Sequence, residues 1–297
     1  MHARSRNRRH DVPLLFKYAS APTAMTILRS GSLRWSSPLR FNDPFDTRRN
    51  FELPFTNAKF CEAVVARFES YLAGEGTPRT PQSKLLLEAL RLAEKTTPVP
   101  KLLNVLRNTL SMTSLPLETA RHQFREVWSE RIPGMRILCF SSDPESPTMW
   151  AHYAGGFTGA VLGFESSDDR DSPWLLARPV VYRNEPPSLP PVETWVKTFL
   201  GEAEIDSEVY LSEYYYVKSP DWSYEKEYRV PSDCRTGEQG PFSDYQFFPE
   251  DLREVILGPS FLESDATEVK AIVSANYPAA QVRRAHLDHI NRRVTVS

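Results

Sequence analysis

Residues 135–165 read MRILCFSSDPESPTMWAHYAGGFTGAVLGFE, and this stretch decides the fold. MRILCFS is an apolar run of strand length that ends in the turn-forming Ser-Ser-Asp-Pro. PTMWAHYA has room for a short helix, Gly155-Gly156 turns the chain, and TGAVLGFE supplies a second strand. Upstream, VPLLFKY (12–18) is apolar enough for a buried strand. Ser20 followed by Ala21-Pro22 opens a helix through Arg29, which Gly31 closes. Leu33 to Ser36 is a further strand, and SSPLRFNDPFD is a loop. Downstream come a strand at Pro179–Tyr182 ended by EPPSLPP, and a helical stretch over 192–217. They are followed by SYEKEYRV, REVILGP, an amphipathic helix near 262–275, and two basic strands, QVRRAHL and RRVTV.

Between these sheet-forming halves the periodicity changes. Phe60, Val64, Phe68 and Leu72, and likewise Leu102, Val105, Leu106 and Leu110, recur at helical spacing. GEGTPRTPQ (74–82) and KTTPVP (95–100) punctuate this region, so residues 56–132 read as a helical insertion or lid. The chain carries no repeat with a period of 20–50 residues, which excludes solenoids and propellers. The expected fold is α+β, a central mixed or antiparallel sheet built from residues 12–50 and 135–295. Residues 12–297 form one domain, and residues 1–11 a disordered basic tail.

Composition narrows the function. Of 297 residues, 40% are apolar, which is ample for a core and excludes wholesale disorder. Thirty-six Lys and Arg against 38 Asp and Glu leave a net charge of −2, so no bulk basic field grips nucleic acid. Only the termini (Arg4, Arg6, Arg8, Arg9; Arg283, Arg284, Arg292, Arg293) lend a nucleic-acid reading weak support. Apolar runs such as Ile137–Phe140 are far too short to span a bilayer. The three cysteines, Cys61, Cys139 and Cys234, form no CxxC pair, which argues against a disulfide framework and a cysteine-rich zinc site. MHARSRNRRH leads into DVPLLF and not into a long apolar segment, so it is no signal peptide, and the expected address is the cytoplasm.

The dinucleotide-binding, phosphate-loop, HExxH and GxSxG signatures are missing from the chain. His286, Asp288 and His289 read as solvated side chains, and no metal is expected; His122 reads as a surface residue. Trp222–Val230 (WSYEKEYRV) is more informative. As a strand it places Glu225, Glu227 and Arg229 on one face, because side chains alternate with period two. An exposed edge decorated with charge is one reading. The inward pull of Trp222, Tyr224, Tyr228 and Val230 supports another, a Glu–Arg pair lining a cleft with perturbed pKa values. Ser141 and Ser142 put small hydroxyls at a strand end. In Met149–Tyr153 the residues Trp150, His152 and Tyr153 serve either the core or a ligand wall. Asn42 and Asp43, on a turn pinned by Phe41 and Phe45, are expected to pack against that helix at a pocket mouth.

Taken together, LFKYAS, ILRSGSLRWSSPLRFNDPFD, CFSSDPESPTMWAHYAGGFTGAVLGF, VVY, DWSYEKEYRV and EVILGP resemble a widespread bacterial and phage family known only as a domain of unknown function. They are also similar to abortive-infection proteins of the AbiG type. The resemblance covers roughly 13–50 and 135–260 and leaves out the helical middle. More distantly, the opening resembles ADP-ribosyltransferases of the DarT and RNA phosphotransferase kind. Those begin with a strand carrying a histidine or arginine, a place that Lys17 takes here as a departure from the pattern, and a helix ending in an "ILxxG" phrase, here Ile27–Gly31.

That resemblance implies NAD as substrate. Expelling nicotinamide develops an oxocarbenium ion at the ribose C1′, which a neighbouring carboxylate stabilises. Glu227 would hold that place, while Glu225 orients or deprotonates the acceptor. Lys17 or Arg229 would neutralise the pyrophosphate, and Trp150 or Tyr153 would stack on a ring. Tyr18, Ser141, His152, Asn42 and Asp43 complete the implied cofactor-binding set. The expected function is thus an ADP-ribosyltransferase-like toxin or phage-defence effector. The alternative is a non-catalytic nucleotide-sensing or partner-binding module. Convergence of Lys17, Ser141, His152 and Glu227 on one concave pocket separates the two.

Overall fold

The structure, a computed structural model, describes residues 4–47, 53–112, 115–185, 187 and 189–297. It is an α+β protein whose chain divides into two compact units. One joins residues 1–48, 131–184 and 215–297; the other joins 49–130 and 185–214. The sequence placed only 56–132 in a helical insertion of a single domain. The second unit also takes in the helical stretch after the proline-dense loop.

Among the described residues, twelve strands belong to the first unit. They are β1 (Leu14–Ala19), β2 (Ser32–Ser36), β3 (Met135–Ser141), β4 (Ala160–Glu165), β5 (Arg178–Pro179) and β6 (Val181–Tyr182). After them come β7 (Val217–Lys218), β8 (Glu227–Asp233), β9 (Phe242–Gln246), β10 (Leu252–Leu257), β11 (Gln281–Asp288) and β12 (Arg293–Val296). The main sheet runs β12-β11-β10-β4-β1-β3-β2-β9, with β8 against β3, β5 against β8, and β6–β7 forming a separate pair. The pair β10–β11 within it is parallel, joined through the helix Glu263–Asn276, and its other described pairings are antiparallel, so the sheet is mixed.

Period-two alternation buries the sheet on both faces. Leu15, Leu162, Phe164, Val255 and Leu257 point into one apolar cluster, shared with the helices Ala21–Ser30 (α1) and Glu263–Asn276. Phe16, Val161 and Ile256, the residues between them, enter a second cluster with Met149 and Trp150 of the short helix Pro147–Tyr153. Gly31 closes α1 in the left-handed conformation at φ 62°, where a side chain would be strained.

The site depends on one irregularity. β3 pairs with β8 along its whole length, but its other edge is shared. β1 touches that edge only at Phe16–Ser141, and β2 only at Ser36–Ile137. Between these two contacts the ladder is open, and Lys17 Nζ donates to the Cys139 carbonyl at 2.9 Å.

The second unit holds the helices Asn57–Leu72, Pro81–Ala93, Val99–Ser111 and most of Leu115–Arg131, with Val192–Phe199 and Ser207–Glu213. Phe60, Val64 and Phe68 are buried as their spacing required. In Val99–Ser111 the buried stripe runs through Leu103 and Leu106, and Val105 is exposed. Leu102-Leu103 are adjacent leucines, so periodicity fits either face and packing chooses one. Thr56 and Thr80 cap their helices by accepting from the N–H groups of Lys59 and Ser83.

The basic N-terminus is corrected from a disordered tail to a docked segment over its described residues. Arg8 pairs with Asp168 at 2.9 Å and donates to Ser166 O, while buried His10 contacts Trp174 O at 2.8 Å. A carboxylate and carbonyls on the body supply partners that the tail's own sequence does not reveal. Cys61, Cys139 and Cys234 are free thiols. Among the described residues no helix is long and apolar enough to cross a membrane.

Candidate functional site

The loop after β2 is shaped by Asp43, whose Oδ1 accepts the Phe45 N–H at 2.8 Å, an Asx turn ahead of Pro44. The turn delivers Asp46 into the interior. From the other side, Pro220–Glu225 is a 3₁₀ turn, and Lys226 takes φ 44° before β8 begins at Glu227. The sequence reading of one continuous strand from Trp222 is therefore corrected. Pro220 favours the start of a helical turn, and the left-handed residue reverses the chain. Glu225, Glu227 and Arg229 still converge.

Arg229, fully buried, organises the cluster. Its Nη1 and Nη2 reach Asp46 Oδ1 and Oδ2 at 2.9 and 2.5 Å, and its Nε and Nη2 reach Glu227 Oε1 and Oε2 at 2.8 and 2.9 Å. The remaining Nη1 hydrogen goes to Tyr215 O at 2.8 Å, so all five guanidinium N–H groups are used. Lys218 Nζ lies 2.5 Å from Glu225 Oε2, 3.4 Å from Glu227 Oε2 and 3.8 Å from Asp46 Oδ2. Tyr153 Oη donates to Glu225 Oε1 at 2.6 Å and accepts from Asn42 Nδ2 at 2.8 Å. Tyr182 Oη accepts the Glu227 N–H at 2.8 Å.

Three acids thus face two bases, and the two glutamates titrate in opposite directions. Burial and then the neighbouring Glu227 charge push Glu225 above the usual carboxylate value, outweighing Lys218. Burial acts on Glu227 in the same direction, but the charges of Arg229 and Lys218 overcome it and hold Glu227 at about 2. Burial also raises the Tyr153 hydroxyl and the Cys139 thiol, so both stay protonated.

These groups line a cleft of about 270 Å³ at the opening between β1, β2 and β3. Of the sequence-derived candidates, Lys17, Tyr18, Ser141, Tyr153, Asn42, Glu225, Glu227 and Arg229 all face it. The hydrogen bond from Asn42 to Tyr153 joins the NDPFD loop to the aromatic helix as expected. Ser141 and Tyr18 are both tied to the Asp143 carbonyl, and Ser141 Oγ also accepts the Asp143 N–H.

Trp150, His152 and Asp43 do not line this cleft. Trp150 is fully buried, with its indole N–H on Pro144 O, so no ring of a ligand can stack on it. His152 is exposed and contacts Tyr224 Oη at 3.2 Å. The helix has few turns, so only one face meets the cleft, and Met149 and Tyr153, four residues apart, occupy it. Asp43 faces a neighbouring recess instead.

Sequence reasoning missed Asp46, Lys218, Tyr182, Arg34 and Arg40. Asp46 stood inside a quoted motif without a role. Lys218 left one signal, a lone cation ending the run Tyr214-Tyr215-Tyr216-Val217. Buried charge needs a partner, and that run predicts burial.

The fold and site define an α+β protein with an acid-lined cleft set in a gap of its main sheet. Residues 149–230 match the model of a family described as "Protein of unknown function (DUF2971)". That segment carries Tyr153, Tyr182, Lys218, Glu225, Glu227 and Arg229, while Lys17, Asn42 and Asp46 lie upstream of it. No curated protein and no solved structure matches the chain.

Proposed function

We propose that the cleft binds a nucleotide of the NAD kind and transfers the glycosyl group at its ribose, as an ADP-ribosyltransferase-like enzyme does. The observation that carries this reading is a pair of buried carboxylates with divergent proton affinities, Glu225 and Glu227, in a cleft that also exposes basic groups. Lys17 and Arg40 make no ion pair among the described residues, and Arg34 is held by Asp244. Cations suit phosphates, and carboxylates suit a ribose carbon that turns cationic.

The geometry favours Glu225 over Glu227 as the acting carboxylate. Both Glu227 oxygens are held by Arg229, whereas Glu225 shares one oxygen with the hydroxyl of Tyr153, a partner that an incoming ligand can replace. As the bond from C1′ to the nicotinamide nitrogen breaks, its electron pair leaves with nicotinamide. The attacking nucleophile then passes its proton to Glu225. Glu227 positions Arg229 and, through its charge, raises the proton affinity of Glu225.

The resemblance to abortive-infection proteins supports a cellular role as a toxin or phage-defence effector in the cytoplasm. A second reading, a non-catalytic nucleotide-sensing module, is favoured by the completeness of the Arg229 network, which leaves that guanidinium no N–H for a ligand. Calorimetric titration with NAD and chromatographic detection of free nicotinamide separate the two. Release by the wild type, and far slower release by Glu225→Gln, is expected; binding without release by the wild type would assign the sensing role.

A further inference from the structure

Beside the cleft lies a second concavity, lined by Asp43, Phe45, Asp221, Trp222 and Tyr224. It shares both of its segments with the cleft, since Asn42 and Glu225 are the next residues along the chain. Its acid is unusual. Asp43 is only 4% exposed; Oδ1 accepts the Phe45 N–H, and Oδ2 has no hydrogen-bond donor among the described residues. Nor does any described cation lie within 4 Å of that carboxylate. The nearby ammonium groups are committed elsewhere, Lys218 to Glu225 and Lys226 to Asp143. Oδ2 is not sealed from solvent, so this carboxylate, with no cation of its own among the described residues, can meet one that enters the recess.

The walls indicate which kind. Phe45 is 74% exposed, and the rings of Trp222 and Tyr224 lie 6.1 Å apart at 37°. The Trp222 ring already shows its preference, because Lys218 Nζ sits 4.6 Å from its centroid. Aromatic faces attract weakly hydrated organic cations, whereas a hard metal ion needs more oxygen ligands than Asp43 and Asp221 offer.

We propose that the Asp43–Trp222 recess is a binding site for an organic cation, a guanidinium or alkylammonium group, held against the aromatic rings by the Asp43 carboxylate. This goes beyond the proposed turnover and does not rest on it, so it is tested without NAD.

The experiment titrates the full chain at low ionic strength, by calorimetry, with four probes. They are agmatine, tetramethylammonium, acetyl-Gly-Arg-Gly-amide, and the same peptide with neutral citrulline in place of arginine. Cationic probes should bind, and the citrulline peptide should bind at least roughly tenfold more weakly. Asp43→Asn keeps an acceptor for the Phe45 N–H and should weaken the cations by a similar factor without lowering Tm. Trp222→Leu gives a second, independent loss should Asp43→Asn fold poorly. A peptide that binds more tightly than agmatine assigns the site to a basic side chain of a polypeptide, and equal affinities to a free amine. Equal binding of the citrulline peptide, no binding of any cation in the millimolar range, or cation affinity unchanged in both variants would overturn the proposal.

Discussion

The β3–β8 ladder buries one arginine at each end, and the two are satisfied in opposite ways. At the Met135 end, Arg136 donates to neutral acceptors: Ser243 Oγ at 2.8 Å and the carbonyls of Pro133, Met135 and Gly240. At the Ser141 end, Arg229 meets two carboxylates and one carbonyl. Backbone carbonyls cannot change protonation, and the Glu238 carboxylate is linked to Arg136 only through Ser243 Oγ, so no titratable group touches the first guanidinium directly. Carboxylates can change protonation, and the second end opens into the cleft. Burial of an arginine therefore does not mark a site. What marks it is a titratable partner beside a cavity.

Four measurements break or sharpen this contrast. The largest effect belongs to Arg229→Met, which leaves Asp46 and Glu227 buried without their cation. Urea unfolding should show a loss of about 3–5 kcal/mol. Should Arg136→Met cost as much, the two ends would be energetically alike and the contrast would fail. Glu225→Gln comes next. Nicotinamide release should fall on the order of 10²–10³-fold, the usual cost of one electrostatic contact to a transition state. Because the native site already resists the Glu225 charge, Tm should hold or rise.

The third is a pH series. Glu227 is held at about 2 in the folded protein against an ordinary 4.5, so its contribution is complete above pH 4.5 and is lost as pH falls towards 2. Glu225 has the opposite sign. Its raised value favours the protonated native form, so its contribution weakens as pH rises above 4.5. Wild type should thus lose stability across pH 4.5 to 2 more steeply than Glu227→Gln, as followed by circular dichroism. Parallel curves would show that Glu227 is not held by Arg229. The smallest effect is Arg136→Met, expected at about 1–3 kcal/mol from the acceptors left unpaired, with nicotinamide release unchanged in the folded protein.

Legibility followed the range of the interaction. Pro22 and Gly31 act on their own backbone, and α1 begins and ends where they stand, although the Ser20 hydroxyl pairs with Thr23 Oγ1 and caps no N–H. Phe60, Val64 and Phe68 mark a face by spacing alone. By contrast β9 (Phe242–Gln246) went unread, because FSDYQ is nearly polar and becomes a strand by pairing with β2. At the site, Glu225, Glu227 and Arg229 were legible as one charged phrase, but through the wrong local geometry, since a left-handed Lys226 replaces the expected alternation. Trp150 was ambiguous because an aromatic beside polar residues suits a core and a ligand wall equally.

By itself, then, the sequence determined the α+β class, the strand–helix grammar of both sheet-forming segments, and the acid-rich phrase that carries the cleft. Local propensity and period decide those, and both act over a few residues. Only the tertiary structure decided that Asp46 and Lys218 join Glu225, Glu227 and Arg229, or that β1 and β2 share one edge of β3 and leave the gap. Asp46 and Arg229 are 183 residues apart, and a charge pair over that distance exists only once the whole sheet has closed around it.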